Sequence, residues 1–197
     1  MRSTEQRLTE QADRHAPGSG AADLALIRRV QQGDRSAFDL LVVKYQHKIV
    51  KLIMRYVRDH SEALDVAQEA FLKAWVALPG LVAEATFRVW LFRIARNESA
   101  TRARSPRSAA GHPLPEVEDA RPGPVEAAEE REGAAALRQA VGKLPATYRE
   151  AYLLWTHENL SYPDIAGVLD VTEETARWRV CEARRRLTRI LEKFLKP

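Results

Sequence analysis

The 197-residue chain is predicted to be all-α, with two small helical domains joined by a flexible linker. Apolar residues recur at spacings of three and four along most of the chain, which places them on one side of each helix. A proline-rich segment, residues 105–125, lacks this periodicity and predicts the linker. The last third of the chain contains a cap, a helix, a tight turn and a second, basic helix.

Composition excludes several classes of protein. The single cysteine, Cys181, rules out an internal disulfide and a cysteine metal cluster, and the five histidines are not paired at metal-ligand spacing, so no metal or cofactor is expected. No apolar run approaches the ~20 residues that span a membrane, and the N-terminus lacks an apolar signal core. We therefore expect a cytoplasmic protein.

The first domain is expected to cover residues 22–104, after a disordered extension, residues 1–21. The apolar pattern of its first helix begins at Asp23, and Gly33 ends the helix. Asp34 then caps a longer second helix. The apolar residues on one side of these helices are Leu24, Ile27 and Val30 in the first and Phe38, Leu41, Val42, Tyr45, Ile49, Leu52, Ile53 and Tyr56 in the second.

The third helix, predicted from Ser61 to Leu78, carries an acidic stripe. Three carboxylates at spacings of three and four, Glu62, Asp65 and Glu69, form it, and we include in the stripe Gln68 on their flank and the exposed Leu72 beside them. A solvated acidic face is the ordinary explanation of such a run. Acidic residues interrupted by an exposed leucine also suit a surface that binds a basic protein partner, and both interpretations stay open on the pattern alone.

The fourth helix, with Thr86 as its candidate cap, combines aromatic residues and arginines. Phe87, Trp90, Leu91, Ile94 and Ala95 are predicted to face inward, and Phe92 and Val89 to lie nearer the outside among Arg88, Arg93, Arg96, Arg102 and Arg104. Aromatic rings interleaved with guanidinium groups suit single-stranded nucleic acid. The alternative is that these apolar residues only complete a helical core, which is favoured for Trp90 and Leu91.

The second domain is expected to cover residues 126–197. A helix is predicted over 126–142, a second begins at Leu144-Pro145, and a helix-turn-helix follows. Ser161 caps its first helix, Asp170-Val171 form the turn and Thr172 caps its second helix.

The last helix has an apolar and a basic side. Ala176, Val180, Ala183, Leu187, Leu191 and Phe194 share one face, and the opposite face carries Glu174, Trp178, Cys181, Arg185 and Arg189, flanked by further arginines. A helix-turn-helix places the start of this helix in the major groove of DNA, which makes nucleic-acid binding the favoured interpretation over a charged helix that caps a bundle.

Four segments, in this order, resemble the small, extracytoplasmic-function group of bacterial sigma factors. They are Gly33-Asp34-Arg35-Ser36-Ala37-Phe38 with Tyr45, Glu62-Ala-Leu-Asp65-Val-Ala-Gln68-Glu69-Ala-Phe71, Trp90-Leu-Phe-Arg93-Ile-Ala-Arg96-Asn97, and Leu144-Pro145 with residues 159–187. The resemblance covers residues 22–104 and 126–195.

The resemblance implies a transcription initiation factor that binds core RNA polymerase and recognises the −10 and −35 promoter elements. It implies polymerase contacts by Glu62, Asp65, Gln68, Glu69 and Leu72, and −10 contacts by Trp90, Arg93, Arg96 and Asn97. It implies −35 contacts by Thr172, Glu174, Thr175, Arg177, Trp178, Arg179 and Arg185. Its other implied partner is an anti-sigma protein, and no small-molecule substrate is expected.

The sequence departs from the family pattern at several positions. The family's Phe-x-Gly is replaced by Leu78-Pro79-Gly80, and Trp178 stands where the family has a serine between two basic residues. We therefore expect an unusual −35 sequence, or a C-terminal domain that also contacts a protein regulator. The alternative function is a helix-turn-helix regulator that acts without polymerase. An enzyme is disfavoured, because the chain lacks a phosphate-binding loop, a paired-histidine motif and a nucleophile elbow.

Overall fold

The computed structural model describes residues 18–57, 59–81, 87–103 and 126–195. All regular structure in these residues is helical, which confirms the all-α prediction. The predictions for the extension up to residue 17, for Thr86, for Arg104 and for the linker lie outside the described residues, and so does the side chain of Phe194.

The described residues of the N-terminal group form four α-helices. They are α1 (Gly18–Gln31), α2 (Arg35–Ile53), α3 (His60–Ala77) and α4 (Phe87–Ala103), with a 3₁₀ turn (Leu78–Gly80) after α3. The first helix begins five residues before Asp23, where the apolar pattern starts. The side chain of Asp59 caps α3 by accepting a hydrogen bond from the Glu62 backbone N–H.

The turn between α1 and α2 follows the sequence prediction. Gly33 has a φ of 96°, a left-handed conformation that glycine adopts without steric cost. Asp34 then caps α2 by accepting a hydrogen bond from the Ser36 backbone N–H at 3.0 Å. Hydrogen bonds from Ser36 and from Arg29 lower the pKa of the Asp34 carboxyl to about 2, so the cap stays ionised well below neutral pH.

A buried carboxylate joins α1 to α2. Asp23 is buried, and its two oxygens accept hydrogen bonds from the Tyr45 hydroxyl and the Lys44 ammonium, each at 2.5 Å. The apolar pattern had assigned Tyr45 to the core without a polar partner. The structure confirms that Tyr45 is buried and shows that Asp23 satisfies its hydroxyl.

The C-terminal group contains α5 (Glu126–Gly142), α6 (Ala146–His157), α7 (Tyr162–Leu169) and α8 (Glu173–Leu195). The α7–α8 pair is the predicted helix-turn-helix, with Asp170 in the left-handed conformation at the turn. Ser161 and Asp164 form a capping box at the start of α7, and the Thr172 hydroxyl accepts a hydrogen bond from the Thr175 backbone N–H at the start of α8.

We expect Ser161→Ala to destabilise the protein by about 1 kcal/mol, because the hydroxyl that accepts the Asp164 backbone N–H is lost. Thermal unfolding followed by circular dichroism measures this as a lowered melting temperature. Ser61→Ala, an exposed serine in the first turn of α3, is the matched control and should leave the melting temperature nearly unchanged. Equal melting temperatures for the two variants would contradict the capping role.

The two helix groups pack against each other. One hydrophobic cluster runs from Ile27 in α1 to Val180 in α8, and α4 lies at its centre, in contact with α2 and α3 on one side and α7 on the other. A smaller cluster joins α5 to the later part of α8 through Ala140, Leu144, Ala183 and Leu187. The helix-turn-helix therefore lies directly against the N-terminal group.

Candidate protein and nucleic-acid interfaces

The acidic stripe of α3 lies on the surface of the protein. Asp65, Gln68, Glu69 and Leu72 are all exposed, and Leu72 keeps 64% of its surface accessible. Val76 extends the apolar part of this face by one further turn and is also exposed. An exposed leucine and valine next to two carboxylates form a mixed apolar and acidic surface, which suits a basic protein partner.

Glu62 differs from the other residues of the stripe. It is half-buried, and its carboxylate accepts a hydrogen bond from Arg102 Nε at 2.8 Å, near the end of α4. This bond raises the pKa of the Arg102 guanidinium. Glu62 therefore ties α3 to α4 as well as adding negative charge to the edge of the stripe.

A groove between α2 and α3 borders the stripe and was not predicted from the sequence. It has a volume of about 480 Å³. Phe38 and Trp75 both line it and meet edge to face, with ring centroids 5.0 Å apart. Its remaining lining residues are Arg35, Asp39, Val42, Gln68, Phe71 and Leu72. The stripe residues Gln68 and Leu72 thus also form one wall of an apolar groove.

The exposed side of α4 is narrower than predicted. Arg93 and Asn97 are exposed, four residues apart on one face. Trp90 is half-buried, with its ring tilted against Phe87 at a centroid distance of 5.8 Å. Arg96 is half-buried and donates hydrogen bonds to Glu150 of α6, from Nε at 2.7 Å and from Nη2 at 3.4 Å.

The prediction that Phe92 lies near the outside of α4 is wrong. Its side chain is fully buried, because α4 is covered by α3 on one side and by α7 on another. Val89, predicted to lie beside it, is half-buried and packs against the core cluster. Among the described residues, the interleaved arginines and aromatic rings of α4 therefore do not form one open surface.

The start of α8 is open to solvent. Thr172, Glu174, Arg177 and Trp178 are exposed, and Arg185 is exposed two turns further along the helix. Thr175 and Arg179 are half-buried at the edges of this face. The structure therefore places the seven predicted −35 residues on or beside the accessible side of α8, opposite its buried residues.

Acidic neighbours hold two of these arginines. Arg177 pairs with Glu173 at 2.7 Å, one helical turn away, and Arg185 pairs with Glu182. Glu182 also binds Arg186, and the hydrogen bonds from these two arginines lower the pKa of the Glu182 carboxyl to about 2. The carboxylates orient the guanidinium groups but also compete with phosphates for them.

Trp178 has a partner that the sequence analysis missed. Its indole meets the ring of Tyr148, at the start of α6, edge to face with centroids 5.5 Å apart, while 57% of its surface stays accessible. The guanidinium of Arg186 lies 4.5 Å from the centroid of the same tyrosine ring. Tyr148 was expected only as an apolar residue of α6, and no spacing rule links it to a residue thirty positions away.

The described residues contain neither a membrane-crossing helix nor a candidate metal-binding cluster. None of the helices there is long and apolar enough to cross a membrane. No three His, Cys, Asp or Glu side chains in the same part of the chain form a group that could hold a metal ion.

Comparisons with known proteins agree with this geometry. Residues 41–108 match the family model for Sigma-70 region 2, and residues 134–187 match that for Sigma-70, region 4. The RNA polymerase sigma-H factor of Pseudomonas aeruginosa is 40% identical over 189 residues, covering 88% of this chain and 96% of that protein. The ECF RNA polymerase sigma-E factor of Escherichia coli K12 is 37% identical over 181 residues, covering 82% and 90%.

The chain belongs to the extracytoplasmic-function group of the sigma-70 family. It is therefore an RNA polymerase-associated sigma factor, and this family consists of non-enzymatic transcription initiation factors. The helix groups of this sigma factor correspond to the two family regions, with α3 and α4 in the first and the helix-turn-helix in the second.

Solved structures support the same fold. CnrH, in complex with the cytosolic domain of CnrY, superposes on this sigma factor with a TM-score of 0.65 and 25% identity, covering 87% of this chain and 98% of that chain. RpoE of Bartonella quintana, in complex with the anti-sigma factor NepR, gives a TM-score of 0.59 and 24% identity, covering 79% and 96%.

Proposed function

We propose that this sigma factor holds core RNA polymerase with α3, binds the melted −10 element with α4 and reads the −35 element with α8. The observation that carries the proposal is the presence, in one chain, of two exposed surfaces of opposite character. One is the acidic, leucine-bearing face of α3, and the other is the basic face of the recognition helix α8.

At the polymerase surface, Asp65, Gln68 and Glu69 would pair with a basic helical element of the large subunit. Leu72 would bury its exposed side chain in the same contact, which supplies apolar area at the centre of a charged interface. Glu62 would contribute at the edge, since its carboxylate is already bound by Arg102.

At the −10 element, Arg93 and Asn97 are the residues most open to a melted strand. A guanidinium can bind a phosphate or stack on a base, and an amide can pair with a base edge. Trp90 would support the helix from its half-buried position. Arg96 would join the contact once its bond to Glu150 is broken.

At the −35 element, the first turns of α8 would enter the major groove. Glu174 can accept a hydrogen bond from cytosine N4, and the Trp178 indole can pack on a thymine methyl group. Arg177, Arg179 and Arg185 would bind phosphates or guanine. Thr172 and Thr175 would hold the start of the helix against the DNA backbone.

The remaining assignments follow from this role. We place the two domains at residues 22–104 and 126–197, the protein in the cytoplasm, and the chemistry of transcription in the polymerase rather than in this chain. An anti-sigma protein is an expected regulator, by analogy with RpoE of Bartonella quintana, which was solved in complex with the anti-sigma factor NepR.

Run-off transcription with purified core polymerase on a genomic fragment library tests the proposal. Adding the protein should produce discrete new start sites, each preceded by a common pair of sequence elements. If the protein binds promoter fragments and polymerase has no effect on that binding, the chain acts as a helix-turn-helix regulator without polymerase. If neither binding nor new starts are seen, the proposed function is wrong.

A further inference from the structure

A buried ion pair joins the two helix groups. Arg55, just after α2, donates a hydrogen bond to Glu158, just after α6, at 3.2 Å, and the two side chains are only 8% and 5% exposed. Burial lowers the pKa of the Arg55 guanidinium, and the Glu158 carboxylate opposes that change. Each charge depends on the other while the groups stay together, because a lone buried charge is strongly unfavourable.

A second carboxylate binds two residues of the N-terminal group. Glu150 of α6 accepts hydrogen bonds from Arg96 of α4 and from the hydroxyl of Tyr56. Arg96 is one of the residues proposed to bind the −10 strand. In this structure the carboxylate of Glu150 is therefore bound to the guanidinium of Arg96, and it competes with a phosphate of the strand for that group.

Helices α4 and α7 also approach each other very closely. A Cβ atom added to Gly167 of α7 would lie 2.8 Å from Cγ1 of Val89 on α4. Any side chain at position 167 would therefore push the two helices apart or displace Val89. Arg88 and Asp164 add a longer ion pair, at 3.8 Å, along the same edge.

The packed arrangement is too small to reach both promoter elements. Elements named −10 and −35 lie about 25 base pairs apart, or about 85 Å along B-form DNA at 3.4 Å per base pair. A packed body of roughly 150 residues is only about 40 Å across. The 22 residues from 104 to 125 can extend to at most about 80 Å, so separated domains could reach both elements.

We infer that Glu150 and Glu158 form an intramolecular latch that holds the helix-turn-helix against α4, keeps Arg96 from DNA and must open before both promoter elements are bound. This inference rests on the proposed function for its consequence, but the latch itself is a property of the free chain. Only molecules in the open form can bind polymerase and both promoter elements, so the closed form lowers the apparent affinity for polymerase and promoter together.

Two independent variants test the latch. The double variant Glu150→Gln with Glu158→Gln removes both carboxylate charges, and Gly167→Leu inserts a side chain between α4 and α7 without removing any polar contact. The matched control for the carboxylate changes is Glu192→Gln, an exposed carboxylate on α8 away from the interface. Circular dichroism melting would first establish that each variant is folded.

The distance between the helix groups is the direct measurement. Spin labels on the natural Cys181 of α8 and on an exposed Gln46→Cys in α2 report it in the free protein. The unaltered interface should give one narrow distribution, and both latch variants should give a broader distribution at longer distances. A broad distribution before any latch substitution, or no change in either folded variant, would overturn the inference.

Polymerase binding, measured with unlabelled protein, tests the consequence. Both latch variants should bind core polymerase and a promoter fragment about tenfold more tightly than the native chain or the control. If the variants open but bind no more tightly, the latch does not restrain the protein and the inference fails. If the variants open but no form of the protein binds polymerase, the intramolecular latch is confirmed and the proposed function is wrong.

Discussion

Replacing Asp65 with lysine is expected to abolish promoter-directed transcription by this protein. Asp65 lies on the exposed face of α3, one helical turn before Glu69 and two turns before Leu72. If this face meets a basic element of polymerase, the substitution replaces an attraction with a like-charge contact that costs several kcal/mol. Binding to core polymerase should then weaken at least about 100-fold, which corresponds to about 2.7 kcal/mol.

The loss should come from the interface and not from unfolding. Asp65 is exposed, so its charge reversal should leave the melting temperature nearly unchanged. Glu192→Lys, the same change in charge on the exposed C-terminal part of α8, is the matched control and should bind polymerase like the native protein. If Asp65→Lys binds core polymerase normally, the acidic stripe is only a solvated face.

Replacing Trp178 with alanine should weaken binding at the −35 element by about 10- to 100-fold, because one base contact is worth about 1–3 kcal/mol. The indole is at the start of α8, and its accessible part faces away from the core. The measurement is the affinity of the holoenzyme for a promoter found by run-off transcription. Replacing each −35 thymine with uracil, which lacks the methyl group, should weaken binding of the native protein at one position.

The same uracil substitution should have no effect on the Trp178→Ala variant, since the apolar partner of the methyl group is already gone. Leu137→Ala, another exposed apolar residue, lies on α5 and serves as the control. Tyr148→Ala removes only the ring that packs against the indole, and a smaller loss is expected. Normal −35 affinity in Trp178→Ala would show that the indole serves packing on Tyr148 alone.

Most of the secondary structure could be predicted from the sequence, because its causes are local. Ser161, Thr172 and Asp34 cap the helices that they were expected to cap, and each does so by accepting a backbone N–H two or three residues away. Gly33 ends α1 through a backbone conformation that its own lack of a Cβ permits. Such contacts depend on neighbours along the chain, so pattern reading finds them.

The environment of α4 could not be predicted in the same way. Spacing identifies one apolar side of a helix, but α4 is covered from two sides, and Phe92 is buried on a side that the pattern assigned to solvent. For the same reason Arg96, expected to be open to DNA, meets Glu150 of another helix. The number of partners a helix has is a property of the assembled fold.

Local signals in the sequence predict the helix-turn-helix, the acidic face of α3 and the order of the four family-like segments, and hence the family. They can do so because each cap, apolar repeat and charge pattern involves residues that lie close together along the chain. Which charged side chains are available to a partner depends instead on how the helices pack. Arg96 and Glu150 are 54 positions apart, and Arg55 and Glu158 are 103 apart. Contacts over such separations form only when one particular packing of helices brings them together, and no local rule specifies that packing.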